Sequence, residues 1–162
     1  VKLLVTGGTF DKEYDEISGR LYFKETHVAE MLRLGRSAAP IDIETLMMID
    51  SLEMTDSDRA AIVAKCESSE DHQIVVTHGT DTMEHTARAL GDAKIVGKTI
   101  VLTGAMVPYK FGSSDGLFNL GSAIAFAQTL PNGVYVAMNG RWFNWKTVRK
   151  NKATGEFYEE KK

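Results

Sequence analysis

The sequence predicts an α/β domain, with a mainly parallel sheet covered on both faces by helices in an α/β/α arrangement. Two observations lead there. Four short apolar runs, Leu3-Leu4-Val5, Ile74-Val75-Val76, Ile100-Val101-Leu102 and Val134-Tyr135-Val136, have the length and continuity of strands buried on both faces. Helical patterns lie between them, and strands alternating with helices build parallel βαβ units.

Each element has its own signature. A fifth strand is expected over Ile41 to Ile49, which alternates more than the others and ends in the polar "DSLEMTDSD". Val28-Met31-Leu32 opens a first helix. Thr55-Asp56-Ser57-Asp58 reads as a capping box, with Ile62, Val63 and Cys66 as the apolar stripe behind it. Met83-Thr86-Ala87-Leu90 marks another helix, and "DGLFNLGSAIAFAQTL" (residues 115 to 130) the longest, closed by Pro131-Asn132-Gly133. Residues 10 to 25, "FDKEYDEISGRLYFKE", are too polar and irregular for a covering helix. A tight hairpin around Ser18-Gly19 is expected there, with a mobile loop before it. The tail "NKATGEFYEEKK" is expected to fray or to pack on a partner. No linker or repeat divides the chain, so residues 1–162 are read as one domain, a length that suits a substantial core.

Composition narrows the function. With 43% hydrophobic and 25% charged residues the chain has ordinary globular chemistry. A net charge of −3 suggests neither a nucleic-acid nor a membrane partner, and no apolar run approaches the roughly 20 residues of a membrane span. The single cysteine, Cys66, cannot form an internal disulfide and has no Cys or His partner at metal spacing. It is read as a buried or half-buried thiol of a cytoplasmic protein.

In open parallel sheets, ligands bind beyond the carboxyl ends of the strands. That rule selects Thr6-Gly7-Gly8-Thr9, Asp50-Ser51-Leu52-Glu53, His78-Gly79-Thr80-Asp81-Thr82 and Thr103-Gly104-Ala105-Met106. The first could be a plain glycine turn, a phosphate cradle, or a place where a substrate carbonyl approaches a threonine hydroxyl. Phosphate fits poorly: there is no GxGxxG spacing and no Lys-Ser/Thr ending, and Asp11, Glu13, Asp15 and Glu16 follow at once. The third turn has two readings. Asp81 and Glu84 are a capping pair and Thr80 can also cap. Equally, Thr80 and Asp81 put a hydroxyl and a carboxylate at the positive end of a helix, where a lysine held by Asp81 could act as base. That lysine would come from "TVRKNK", in which residue chemistry alone does not choose among Arg149, Lys150 and Lys152. His78 and His85 are seven apart, but no carboxylate or cysteine completes a zinc pattern, so no metal site is expected. A GxSxG elbow and a Cys-His arrangement are both missing.

"TGGTFD", "VVTHGTDTMEHTA" and "VLTGAMVP", in that order and joined by "DSLEM" and "SSDGLFNL", resemble the bacterial-type L-asparaginase/glutaminase family over nearly the whole chain. The resemblance is to that family's N-terminal catalytic domain. It implies a flavodoxin-like parallel sheet and cofactor-free hydrolysis of a side-chain amide to a carboxylate and ammonia. Thr9 would be the nucleophile, and Thr80, Asp81 and Lys150 would form the second catalytic group. Asp81 would also grip the substrate α-ammonium, Ser51 the α-carboxylate, and the Thr80 N–H the oxyanion. Leu52 and Ala105 would line the substrate site. The family's loop tyrosine has two candidates, Tyr14 and Tyr22. Tyr14 is favoured because "TFDKEY" keeps it near Thr9 on the mobile part of the loop.

Two departures shape the expectation. The resemblance lacks the family's smaller C-terminal domain, through which a neighbouring subunit closes the pocket. Leu52 stands where periplasmic members carry a polar amide residue. The expectation is therefore an L-asparaginase with weak or no glutaminase activity, acting as a homo-oligomer in the cytoplasm. The alternatives are a non-catalytic amino-acid-binding regulatory module and an ammonia source for a tRNA-dependent amidotransferase.

Overall fold

The computed structural model describes residues 1–161. The predicted strands become β1 (Lys2–Gly7), β4 (Asp42–Ile49), β5 (Gln73–Thr77), β6 (Thr99–Thr103) and β7 (Gly133–Met138). They pair in parallel in the order β4-β1-β5-β6-β7, and β8 (Arg141–Asn144) adds an antiparallel edge beyond β7. The parallel part has the flavodoxin-like order, and the strand order switches between β1 and β5, with β4 added on one side of β1 and β5 to β7 on the other. β4 lies at the other edge, where partial exposure accounts for its more alternating sequence.

The helices cover both faces as expected. On one side α2 (Asp56–Ser68) and α3 (Met83–Asp92) pack on Leu4, Ile74, Val76, Ile100 and Leu102. On the other, α1 (Val28–Leu34) and α4 (Gly116–Thr129) pack on Leu3, Val5, Val75 and Val101. Successive residues of each strand thus feed opposite cores. The capping box at Thr55 is present, with Asp58 accepting from the Thr55 N–H at 2.8 Å. All four residues of the predicted Met83-Thr86-Ala87-Leu90 stripe are buried. Cys66 is buried as well, and burial pushes its thiol up to about 12. Among the described residues, no helix is long and apolar enough to cross a membrane.

Three local expectations are corrected. The segment before Ser18-Gly19 is not a loop. It forms a 3-10 turn, Thr9–Asp11, and then β2 (Lys12–Asp15), which pairs with β3 (Arg20–Phe23). Its base is pinned by the buried Asp11, whose Oδ1 accepts from the His27 N–H at 2.8 Å and the Thr26 hydroxyl at 3.0 Å. Backbone pairing and this anchor replace the expected mobility. Secondly, the tail does not hang free. β10 (Phe157–Glu159) pairs antiparallel with β9 (Val148–Lys150), and Phe157 is buried against Phe143. Thirdly, the sheet does not end at β7, as the five predicted strands imply: β8 follows Asn139-Gly140, a strong two-residue hairpin signal. Both residues have positive φ, 57° and 73°, and Met138 pairs with Arg141 across the turn.

Candidate active site

The switch point between β1 and β5 brings the two threonine turns together. The Thr6 hydroxyl donates to the Thr77 carbonyl at 2.7 Å, tying the ends of the two strands. Gly8 has φ +86° and ψ −176°, a conformation suited to glycine, and an added Cβ would collide with the Gly79 amide nitrogen. The chain entering Thr9 therefore runs directly beside the chain entering Thr80. Gly79 in turn makes room for Ser51, since a Cβ there would lie 2.5 Å from Ser51 Oγ.

The Ser51 turn is held from several sides. Asp50 Oδ1 accepts from the Leu52 N–H at 3.0 Å, and Asp50 is ion-paired with Lys12 from β2. Partial burial raises the Asp50 carboxyl, but the Lys12 ammonium and the Leu52 N–H outweigh it and hold the group below its ordinary value. The Thr82 hydroxyl donates to the Ser51 carbonyl at 2.8 Å and accepts from Arg59 of α2 at 3.3 Å. Ser51 is buried, whereas its neighbour Leu52 is 71% exposed. Ala105 is fully buried in the α1–α4 core.

Lys150 joins the turn from the far end of the chain. Its Nζ lies 2.8 Å from Thr80 Oγ1 and 2.6 Å from Asp81 Oδ1. Its backbone N–H donates to Glu84 Oε2 on α3 at 3.2 Å. The structure thus selects Lys150 from the basic run, because β9 and β10 hold it there. Arg149 instead pairs with Glu160. The Lys150 side chain is almost enclosed, while Asp81 remains 46% exposed. A cavity of about 330 Å³ opens beside the group, lined by Leu52, Asp81, Glu84 and Lys150 among others. A larger hollow of about 560 Å³ between α1 and α4 is apolar and away from these groups.

The capping expectation is corrected. α3 begins at Met83 with Thr82 at the N-cap position, and no side chain caps it. Asp81 is engaged by Lys150, and Glu84 by the Lys150 backbone. Thr80 consequently lies three residues ahead of the helix, rather than on its first turn. Both tyrosine candidates lie on the hairpin, on opposite faces. Tyr14 is on β2, exposed, opposite Leu21. Tyr22 lies opposite Glu13 and its hydroxyl donates to Glu13 Oε2 at 3.3 Å. Glu13 also stands 3.1 Å from His27 Nε2, so the Glu13–Tyr22 face of the hairpin turns toward the start of α1 and Tyr14 turns the other way.

His78 is structural. It is fully buried, with Nδ1 2.7 Å from the Gly79 carbonyl and Nε2 2.7 Å from the Thr86 hydroxyl. A neutral ring that donates from Nδ1 and accepts at Nε2 satisfies both contacts. Burial pushes its pKa down to about 4. In the unfolded chain it titrates near 6.5, so between those values the unfolded state binds the extra proton. This contribution to stability is complete above pH 6.5 and is lost as pH falls toward 4. Urea unfolding is expected to show about 3 kcal/mol of acid destabilisation that His78→Gln lacks. Equal pH slopes in parent and variant would refute it.

Several residues hold supporting positions that the sequence does not assign to them. Thr82 links two turns, Glu84 fixes the Lys150 backbone, and Asp115 accepts from the Met106 and Val107 N–H groups at 3.0 Å. Among the described residues, no group of three or more His, Cys, Asp or Glu side chains is placed to hold a metal ion.

Comparison with known proteins then decides the family. The family model described as "Asparaginase, N-terminal" matches residues 1–156. The chain belongs to the asparaginase N-terminal family. Among curated proteins, this asparaginase-family chain is 33% identical over 170 residues to a probable periplasmic L-asparaginase of Haemophilus influenzae, covering 95% of this chain and 47% of that one. It is 34% identical over 146 residues to a glutamyl-tRNA(Gln) amidotransferase component of Pyrococcus abyssi, covering 86% and 33%. Among solved structures, the probable cytoplasmic L-asparaginase from Campylobacter jejuni superposes with a TM-score of 0.75 at 31% identity, covering 92% and 48%. The chain spans half or less of the length of these relatives.

Proposed function

We propose that this chain is an amidohydrolase that converts L-asparagine to L-aspartate and ammonia through a threonine nucleophile, with weak activity on glutamine. One observation carries the proposal: Lys150 Nζ, on a side chain only 9% exposed, lies against both Thr80 Oγ1 and Asp81 Oδ1, across separations of 70 and 69 residues. A solvated basic edge would leave this ammonium in water, and a helix cap would need no lysine. In this reading Thr9 Oγ attacks the amide carbon, the C–N bond breaks, and the nitrogen leaves as ammonia with the Thr9 proton. Water then attacks the resulting ester, the C–Oγ bond to Thr9 breaks, and the water proton is relayed through the Thr80–Lys150 pair to the departing Thr9 Oγ, which regenerates its hydroxyl. Ser51 holds the α-carboxylate, the free oxygen of Asp81 the α-ammonium, and the Thr80 N–H the oxyanion. Leu52 and the Ala105 backbone border the substrate. The hairpin supplies the tyrosine that activates Thr9, assigned to Tyr14 with Tyr22 as rival; the two Tyr→Phe variants decide between them.

The test is ammonia release from each amino acid by the purified protein, with Thr9→Ala and Thr80→Ala alongside. Both variants are expected to lose at least about 100-fold. Asparagine is expected to exceed glutamine by about tenfold, because Leu52 offers the substrate no hydrogen bond. Equal rates on the two amides would sink the specificity claim, and no ammonia from the parent would favour an amino-acid-binding module. A second reading, ammonia supply to a tRNA-dependent amidotransferase, draws on the Pyrococcus abyssi relative. It expects glutamine to be the better substrate.

The same proposal reads residues 1–162 as one folding unit of a cytoplasmic homo-oligomer. The exposed Leu52 and Asp81 at the mouth of the site support a covering partner. Light scattering that gives a fully active monomer would refute that part.

A further inference from the structure

The chain has seven methionines. Met31, Met54, Met83 and Met138 are buried, and Met47 and Met48 are half-buried. Met106 is 44% exposed, and its sulfur meets the Thr80 side chain. Its Sδ accepts from the Thr80 hydroxyl at 3.6 Å, while Thr80 Oγ1 accepts from Lys150 at 2.8 Å. Its backbone is fixed, because its N–H donates to both Asp115 carboxylate oxygens at 3.0 Å. Its methyl end packs so closely on the Gly155 turn that a Cβ there would lie 2.8 Å from Met106 Cε.

A thioether is a weak acceptor, so Thr80 can leave it and turn to a water or substrate at little cost. We propose that Met106 is a reversible oxidation site through which a peroxide-class oxidant switches Thr80 off. The sulfur lone pair attacks one peroxide oxygen, the O–O bond breaks, water leaves, and the sulfur is oxidised by two electrons to the sulfoxide. The new oxygen is a strong acceptor within reach of Thr80, and it holds the hydroxyl away from the reaction. Four of the other methionines are buried and two are half-buried, so Met106 is the most exposed target. The effect on turnover rests on the amidohydrolase reading, whereas the selectivity and the Met106–Thr80 contact rest on geometry alone.

The experiment treats the protein with graded hydrogen peroxide and maps sulfoxide by peptide mass, with ammonia release and the Thr80 methyl NMR signal followed in parallel. Met106 is expected to oxidise before the other six. The Thr80 signal should shift in step, and ammonia release should fall about tenfold when Met106 is fully converted. Methionine sulfoxide reductase should restore both. Met106→Leu, measured against its own untreated activity, should resist the same dose. Oxidation spread evenly over the methionines, an unmoved Thr80 signal, or equal loss in Met106→Leu would each overturn the proposal. If the untreated parent releases no ammonia, the amidohydrolase reading fails, and the oxidation map with the Thr80 signal still decides the switch.

Discussion

Lys150→Met is expected to lower ammonia release by about 10²- to 10⁴-fold while the protein stays folded. Methionine keeps the length of the stem, and Asp81 is exposed enough for water to solvate its carboxylate once the ammonium is gone. Thr80 loses its 2.8 Å donor, and the proposed proton relay loses one of its two members. Lys150→Arg sharpens the test. Arginine restores the positive charge beside Asp81 but cannot deprotonate in a protein. If Lys150 acts as a base, the arginine variant is expected to be as slow as the methionine one. If the charge alone matters, arginine recovers to within tenfold of the parent, and the proposed proton transfer is wrong. Steady-state rates on L-asparagine, with circular dichroism to verify folding, make the comparison.

The second large effect is expected at Phe157, a core side chain with no proposed part in the chemistry. Phe157→Ala is expected to cost about 3–5 kcal/mol, the usual range for emptying a buried aromatic site. Only 4% of Phe157 is exposed, and its ring packs 6.4 Å from that of Phe143. Its Cα lies directly opposite Lys150 in the β9–β10 ladder, so loosening β10 releases the strand that carries the lysine. Activity should therefore fall further than the unfolded fraction accounts for. Urea denaturation and ammonia release, measured where the variant remains mostly folded, separate the two contributions. A variant that loses stability yet keeps full activity per folded molecule would show that β10 does not position Lys150.

These two residues mark how far the sequence could be read. Thr9, Thr80 and Asp81 are found by a general rule, since they follow apolar runs that can only be buried parallel strands, and ligands gather beyond those strand ends. Lys150 is different. It sits in a basic run that by itself reads as a wet surface, and family resemblance singled it out before the fold placed it. Glu84 misled for a physical reason: an acidic residue three after Asp81 fits a capping pair, yet a backbone N–H arriving from β9 takes its carboxylate instead. Thr82 and Met106 fall within turns that the same rule selects, but their roles are not legible there, because a hydroxyl and a thioether gain them only from the groups that pack against them.

The sequence by itself determined the layered α/β fold, the order of its helices and main strands, and the two threonine turns. Those features depend on local periodicity, capping and turn chemistry, and each is written within about a dozen neighbouring residues. Only the tertiary structure decided that the polar tail folds back as β10, that the hairpin carrying Tyr14 and Tyr22 is anchored through Asp11, and that Lys150 reaches Thr80. Each depends on contacts between distant segments, whose cost in chain entropy is met by burial that no local window contains.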